Sequence, residues 1–72
     1  MNTEVLTEQQ RVVFGLLIQG KSNPEIAQPL GLSEKTVKAH VTAIFKALEC
    51  KSRAQLIARH YIDRLAQLEQ RA

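Results

Sequence analysis

Disulfide cross-linking is excluded, because the 72 residues contain a single cysteine, Cys50. Zinc staples of the usual spacing are excluded too: the two histidines, His40 and His60, are far apart and no CxxC pair exists. No apolar run approaches the ~20 residues needed to cross a bilayer. Met1 to Val5 are too short and too polar for a transit peptide. A lone thiol without a leader points to the cytoplasm. Paired carboxylates, a Ser/His/Asp set and a Gly-rich phosphate loop are all missing, so an enzyme is not expected. No metal, cofactor, small-molecule ligand or membrane partner is expected either. A chain this short buries only about 60% of its unfolded surface. Tight helix packing or a second copy must therefore supply the stability that cross-links do not.

What is present is helical periodicity in four segments, each opened by a capping residue. Thr7 caps a first helix carrying Val13, Phe14, Leu17 and Ile18, closed by Gly20. Ser22 and Glu25 have capping-box spacing, and Pro24 falls in the first turn, where its missing N–H costs nothing. This second helix is short, holding Ile26, Ala27 and Leu30 before Gly31. Ser33 caps a third helix with Val37, Val41, Ile44, Phe45 and Leu48 along one face. Ser52 and Gln55 open a fourth, from Arg53 to about Glu69. No segment alternates with period two, and no repeat or linker interrupts the chain. The expectation is one all-α domain spanning residues 1–72.

The stretch 23–42 carries the most information. Ile26, Leu30, Leu32 and Val37 are spaced to share a small core, and Ala27 lies where two helices approach closely. Gly31 provides the left-handed residue that ends the first of them. That is a helix-turn-helix plan, in which the second helix is free to enter a DNA groove. Charge is distributed accordingly. Net charge is +3, and Glu34 to Arg53 carries Lys35, Lys38, Lys46, Lys51 and Arg53 against Glu34 and Glu49. A polyanion would favour such a stripe, although a solvated helix face has the same composition.

The run from Leu6 to Ala58 resembles the LuxR/GerE-type DNA-binding domain, which also ends the NarL/FixJ response regulators. The resemblance rests on Ser22-Asn23 with Glu25-Ile26-Ala27, on Leu30-Gly31-Leu32-Ser33, on Thr36-Val37-Lys38 with His40, and on Arg53-Ala54-Gln55. It implies a four-helix domain whose third helix, about 33–48, reads the major groove and whose fourth often makes a dimer contact. Three positions depart from the pattern. Gln9 and Gln10 replace an Arg and a Glu, removing a possible ion pair. Pro29 stands where Arg is frequent, and since proline cannot donate to the Glu25 carbonyl, helix two is expected to end early or kink at Gln28.

With the apolar face of helix three turned inward, Lys35, Lys38, Ala39, Thr42 and Lys46 fall on the outer side. Lys38 suits guanine acceptors; Ala39 and the Thr42 methyl suit a thymine methyl. The resemblance likewise implies base reading at Lys38, Ala39 and Thr42. Lys35, Thr36 and Lys46 flank them as phosphate contacts. Ser22 and Asn23, at the start of helix two, offer amides to an anion. His40, at the border of the faces, either donates to a phosphate or fills a polar seam. Cys50 reads as packing rather than a redox switch.

Helix four has more apolar surface than a three-helix core can cover. Ala54, Ile57, Ala58, Tyr61, Leu65 and Leu68 share one face. A symmetric contact through Ile57, Tyr61, Leu65 and Leu68 would make a homodimer on a two-part DNA site. Otherwise Leu65 and Leu68 fold back on helix one, or the last turns fray. The function expected is sequence-specific binding of double-stranded DNA by a bacterial transcription regulator. The competing function is an interaction module that sequesters related regulators without binding DNA. Such a module would have lost charge from the outer face of helix three, and the three lysines there argue against it.

Overall fold

The computed structural model describes residues 1–71. A 3-10 turn, Thr3–Val5, leads into α1 (Glu8–Leu17), α2 (Asn23–Leu30), α3 (Glu34–Ala47) and α4 (Arg53–Arg71), and no strand occurs among the described residues. The fold is thus all-α, as expected from the periodicity.

Local chemistry explains each boundary. At α1, the Thr7 hydroxyl accepts from the Gln10 N–H at 3.1 Å, while the Gln10 side chain accepts from the Thr7 N–H at 3.0 Å. Gln10 therefore closes a capping box without charge, which requires only an acceptor oxygen. Gly20 has φ +85, and the Lys21 N–H reaches back to the Leu16 carbonyl at 3.3 Å. The same closure recurs at Gly31, φ +65, with the Leu32 N–H on the Ala27 carbonyl at 3.0 Å. After α3 it recurs again without glycine. Glu49 takes φ +57, and the Cys50 N–H bonds the Phe45 carbonyl at 2.8 Å.

Half of one expectation fails here. α2 runs without interruption from Asn23 to Leu30, so it does not end early. Pro29 deprives only the Glu25 carbonyl of its partner. Glu25 and Pro29 are both exposed, so water can serve that carbonyl, and proline's fixed φ is already helical.

The core is built from Leu6, Val13, Phe14, Leu17, Ile26, Ala27, Val37, Val41, Ile44, Leu48, Cys50 and Leu56. Leu30, Leu32, Phe45 and Ile18 pack around its edge half-buried. Cys50 is a core residue, its thiol 3.6 Å from the Leu48 carbonyl. α4 joins this core through its first turns, where Leu56 is fully buried. Its 19 residues span about 28 Å at 1.5 Å each, against cross-sections of 21 Å for the molecule. The helix outruns the body, and every side chain from Arg64 to Gln70 is exposed. No described helix is long and apolar enough to cross a membrane.

Candidate nucleic-acid interface

Four inward residues set the phase of α3. Val37, Val41, Ile44 and Leu48 are buried at i, i+4, i+7 and i+11, so the opposite side must face solvent. Lys35, Lys38, Ala39, Thr42 and Lys46 are all exposed there. At 100° per residue, Ala39 and Lys46 lie almost opposite the core, Lys35 and Thr42 beside them, and Lys38 on the flank next to Phe45. Three cations therefore surround a centre made of one methyl and one threonine. Thr36 is exposed at the N-terminus, where its N–H and hydroxyl both bond Ser33, at 3.0 and 2.9 Å. His40 is half-buried on the flank away from Lys38.

Thr42 carries an additional constraint. Its hydroxyl donates to the Lys38 carbonyl one turn earlier, at 2.9 Å. The one proton of that hydroxyl is therefore engaged within the helix.

The start of α2 is less open than its spacing implied. The Ser22 N–H donates to the Glu25 carboxylate at 2.9 Å, and the Ser22 hydroxyl accepts from the Glu25 N–H at 3.4 Å. Pro24 has no N–H to offer. The Asn23 N–H is thus the first-turn amide available to an anion, beside a carboxylate that repels one. Bonding from Ser22, first through its backbone and then its side chain, holds the Glu25 carboxyl below its ordinary range. The Asn23 side-chain carbonyl accepts from the Arg53 guanidinium, which also donates to the Lys21 carbonyl at 3.1 Å. Ser22 is exposed and Asn23 half-buried.

Two arginines thereby fix the frame around α3, and sequence reasoning gave neither a role. Arg53 ties the start of α4 to the loop before α2. Arg59 closes the other junction: its Nη1 donates to the Leu48 carbonyl at 3.0 Å and the Glu49 carbonyl at 3.3 Å, and lies 3.3 Å from Cys50 Sγ. A cation at the C-terminal end of α3 satisfies carbonyls that the helix leaves unpaired. Both arginines are half-buried three residues either side of Leu56, the side of α4 that packs on the core, whereas periodicity had put the apolar face on the Ala54–Leu68 side, so spacing gave no signal for either contact.

α4 separates the expected dimer residues. Ile57 is half-buried, whereas Tyr61, Leu65 and Leu68 are 46%, 59% and 52% exposed. Ile62, at 64%, lies beside them. The Tyr61 hydroxyl meets the Ile18 carbonyl at 3.4 Å, and His60 stacks edge-on between Phe14 and Tyr61. Leu68 borders an open hollow of about 350 Å3 with Met1 and Phe14, yet Leu65 and Leu68 are not folded down onto α1.

Comparison with known proteins agrees with this arrangement. The family model of bacterial regulatory proteins, luxR family, matches residues 4–60. The spore germination protein GerE of Bacillus subtilis is 40% identical over 65 residues, covering 90% of this chain and 85% of that protein. The glycerol metabolism activator of Pseudomonas putida is 43% identical over 54 residues, or 75% of this chain and 24% of that protein. The response regulator protein VraR of Staphylococcus aureus is 41% identical over 54 residues, 75% of this chain and 26% of its own length. The chain thus spans most of the first and about a quarter of the other two. With its helix-turn-helix and its exposed basic third helix, the chain belongs to the luxR family of bacterial regulatory proteins, as a DNA-binding transcription regulator.

Proposed function

We propose that this protein binds double-stranded DNA sequence-specifically, with α3 in the major groove, as a homodimer joined through α4. The observation that carries the reading is the outer face of α3. Lys35, Lys38 and Lys46 are exposed around Ala39 and Thr42, with no acidic residue among them. A module that only captured other regulators would have no use for three desolvation-prone cations around a flat centre. Lys38 reaches guanine O6 and N7, while Ala39 and Thr42 face the neighbouring base edges. Lys35, Thr36, Lys46 and His40 grip phosphates on either side, and the Asn23 amide adds a lesser contact at the start of α2.

Support for the dimer comes from spacing and exposure together. Ala54, Ala58, Tyr61, Leu65 and Leu68 follow one another at steps of four, three, four and three, and all are exposed. That rhythm is the seam of a two-helix coiled coil. A two-fold axis through it sets two α3 helices against successive major grooves. The cytoplasm is the compartment where such a regulator meets its operator.

Selection from random duplexes, followed by gel-shift titration, tests the proposal. One sequence class should be enriched, and Lys38→Ala should weaken it by ~1–3 kcal/mol while relaxing preference at one base position. Equal binding of the mutant to all duplexes that the parent binds, with unchanged preference, removes Lys38 from the reading. Absence of any enriched class defeats sequence specificity.

A further inference from the structure

We propose that Thr42 recognises its base through the γ-methyl group and not the hydroxyl, so that Thr42 and Ala39 together detect the 5-methyl groups of thymines. The inference rests on α3 lying in the major groove as proposed above. A threonine facing a groove can read DNA through its hydroxyl, as donor or acceptor, or through its methyl as an apolar contact. The structure removes the donor. The hydroxyl proton is given to the Lys38 carbonyl at 2.9 Å, within the same helix. A hydroxyl has one proton, so Thr42 has no donor left for guanine O6 or N7, adenine N7 or thymine O4; its lone pairs can accept only from adenine N6 or cytosine N4, so at a thymine edge, which carries an acceptor and a methyl, only the methyl contact remains. The methyl occupies a different staggered position on Cβ and is turned away from that bond.

Ala39 extends the same chemistry. It precedes Thr42 by three residues, which places the two side chains next to each other on the exposed face. At the outermost line of α3 its side chain is a single methyl, so the helix can approach the base edges closely there. The thymine methyl is the one apolar group on the major-groove edge of a base pair. Two adjacent methyls ringed by Lys35, Lys38 and Lys46 therefore form a small apolar spot inside a basic frame. Lysines hold the backbone and a guanine; the spot selects thymine over cytosine at the adjoining positions.

Uracil lacks only the 5-methyl group, which makes it the direct probe. In the duplex selected from random sequences, each thymine is replaced by deoxyuridine in turn and affinity is measured by competition gel shift. One or two positions should weaken by about fourfold per methyl, the ratio equivalent to ~0.8 kcal/mol. Two variants then assign the contact. Thr42→Val keeps the methyl and deletes the hydroxyl; it should retain the parent's thymine-over-uracil ratio at every position. Thr42→Ser keeps the hydroxyl and deletes the methyl; it should lose affinity about fourfold and bind thymine and uracil alike at one position. Since Thr42 is exposed, both variants should fold, and their melting midpoints confirm it. Loss of binding in Thr42→Val with retention in Thr42→Ser overturns the proposal in favour of the hydroxyl. Indifference to uracil at every position overturns methyl recognition altogether. A failure of the parent to select any duplex would instead defeat the DNA reading, and this inference with it.

Discussion

Replacing Arg59 with alanine should destabilise the fold by removing the cap on the far end of α3. One guanidinium nitrogen bonds the Leu48 and Glu49 carbonyls at 3.0 and 3.3 Å, at a turn where Glu49 holds φ +57. A hydrogen bond to a charged group contributes ~1.5–3 kcal/mol. Arg59 is half-buried and a single nitrogen serves both acceptors, so a value at or just below the bottom of that range applies, about 1–2 kcal/mol. For a domain of this size each kcal/mol moves the midpoint by about 4–8 °C. Thermal unfolding followed by circular dichroism should therefore show a fall of roughly 5–15 °C. Urea unfolding should show a lower midpoint at unchanged slope, as expected when stability changes but exposed area does not. Two companions separate the cap from simple loss of charge. Arg59→Lys places a point charge without the planar fork and should recover about half of the loss. Glu49→Gly removes the left-handed penalty, ~1–2 kcal/mol for an ordinary residue less the ~0.5–1 that glycine loses in chain entropy, and should be mildly stabilising. If Arg59→Ala unfolds within ~0.5 kcal/mol of the parent, water replaces the guanidinium at no loss and the capping role is wrong.

Four further outcomes are expected. Lys35→Ala and Lys46→Ala should each weaken binding to all duplexes and reduce the salt slope by about one unit, and a parental slope in salt titration would rule out their phosphate contacts. Pro29→Ala restores the bond to the Glu25 carbonyl and should raise the unfolding free energy by up to ~3 kcal/mol, less near a solvated helix end; a lowered midpoint would show that proline's restriction of the unfolded chain matters more. The Glu25 carboxyl lies below its ordinary 4.5, so its capping contribution is complete above that pH and is lost as pH falls through and below it. Accordingly, Glu25→Gln, which keeps an acceptor but cannot titrate, should lose less of its midpoint between pH 7 and acid pH than the parent, and equal losses would exclude the group. Leu65→Glu and Leu68→Glu should abolish dimers in sedimentation runs with a two-part duplex, whereas parental mass and cooperativity in both would remove α4 from the interface.

Much of this molecule is written locally. Thr7, Ser22, Ser33 and Ser52 each stand one residue before a helix, and their hydroxyls meet backbone N–H groups three residues on. Gly20 and Gly31 mark the left-handed residues that close α1 and α2. The inward row of α3 follows from Val37, Val41 and Ile44, and its outward row follows by elimination. These features rest on contacts within one or two helical turns, where spacing along the chain is spacing in the structure. Pro29 shows the limit of such reasoning: propensity argued for an early end or a kink at Gln28, yet the helix continues to Leu30 with Glu25 and Pro29 exposed to water.

Tertiary structure decided what spacing along the chain cannot express. Arg53 finds Asn23 and the Lys21 carbonyl about 30 residues away, and Arg59 finds the turn after α3. No periodicity encodes either contact, because each depends on where one helix ends relative to another. The same placement determined that Leu56 is fully buried while Ile57, its neighbour, is only half so, and that the seam from Ala54 to Leu68 remains uncovered. Sequence determines which face of a helix is apolar, and in α1, α2 and α3 that face is the buried one, whereas α4 turns Leu56 inward and leaves its apolar seam exposed. Which polar atoms meet across the remaining space depends on how the helices are set against one another, and only the folded chain fixes that.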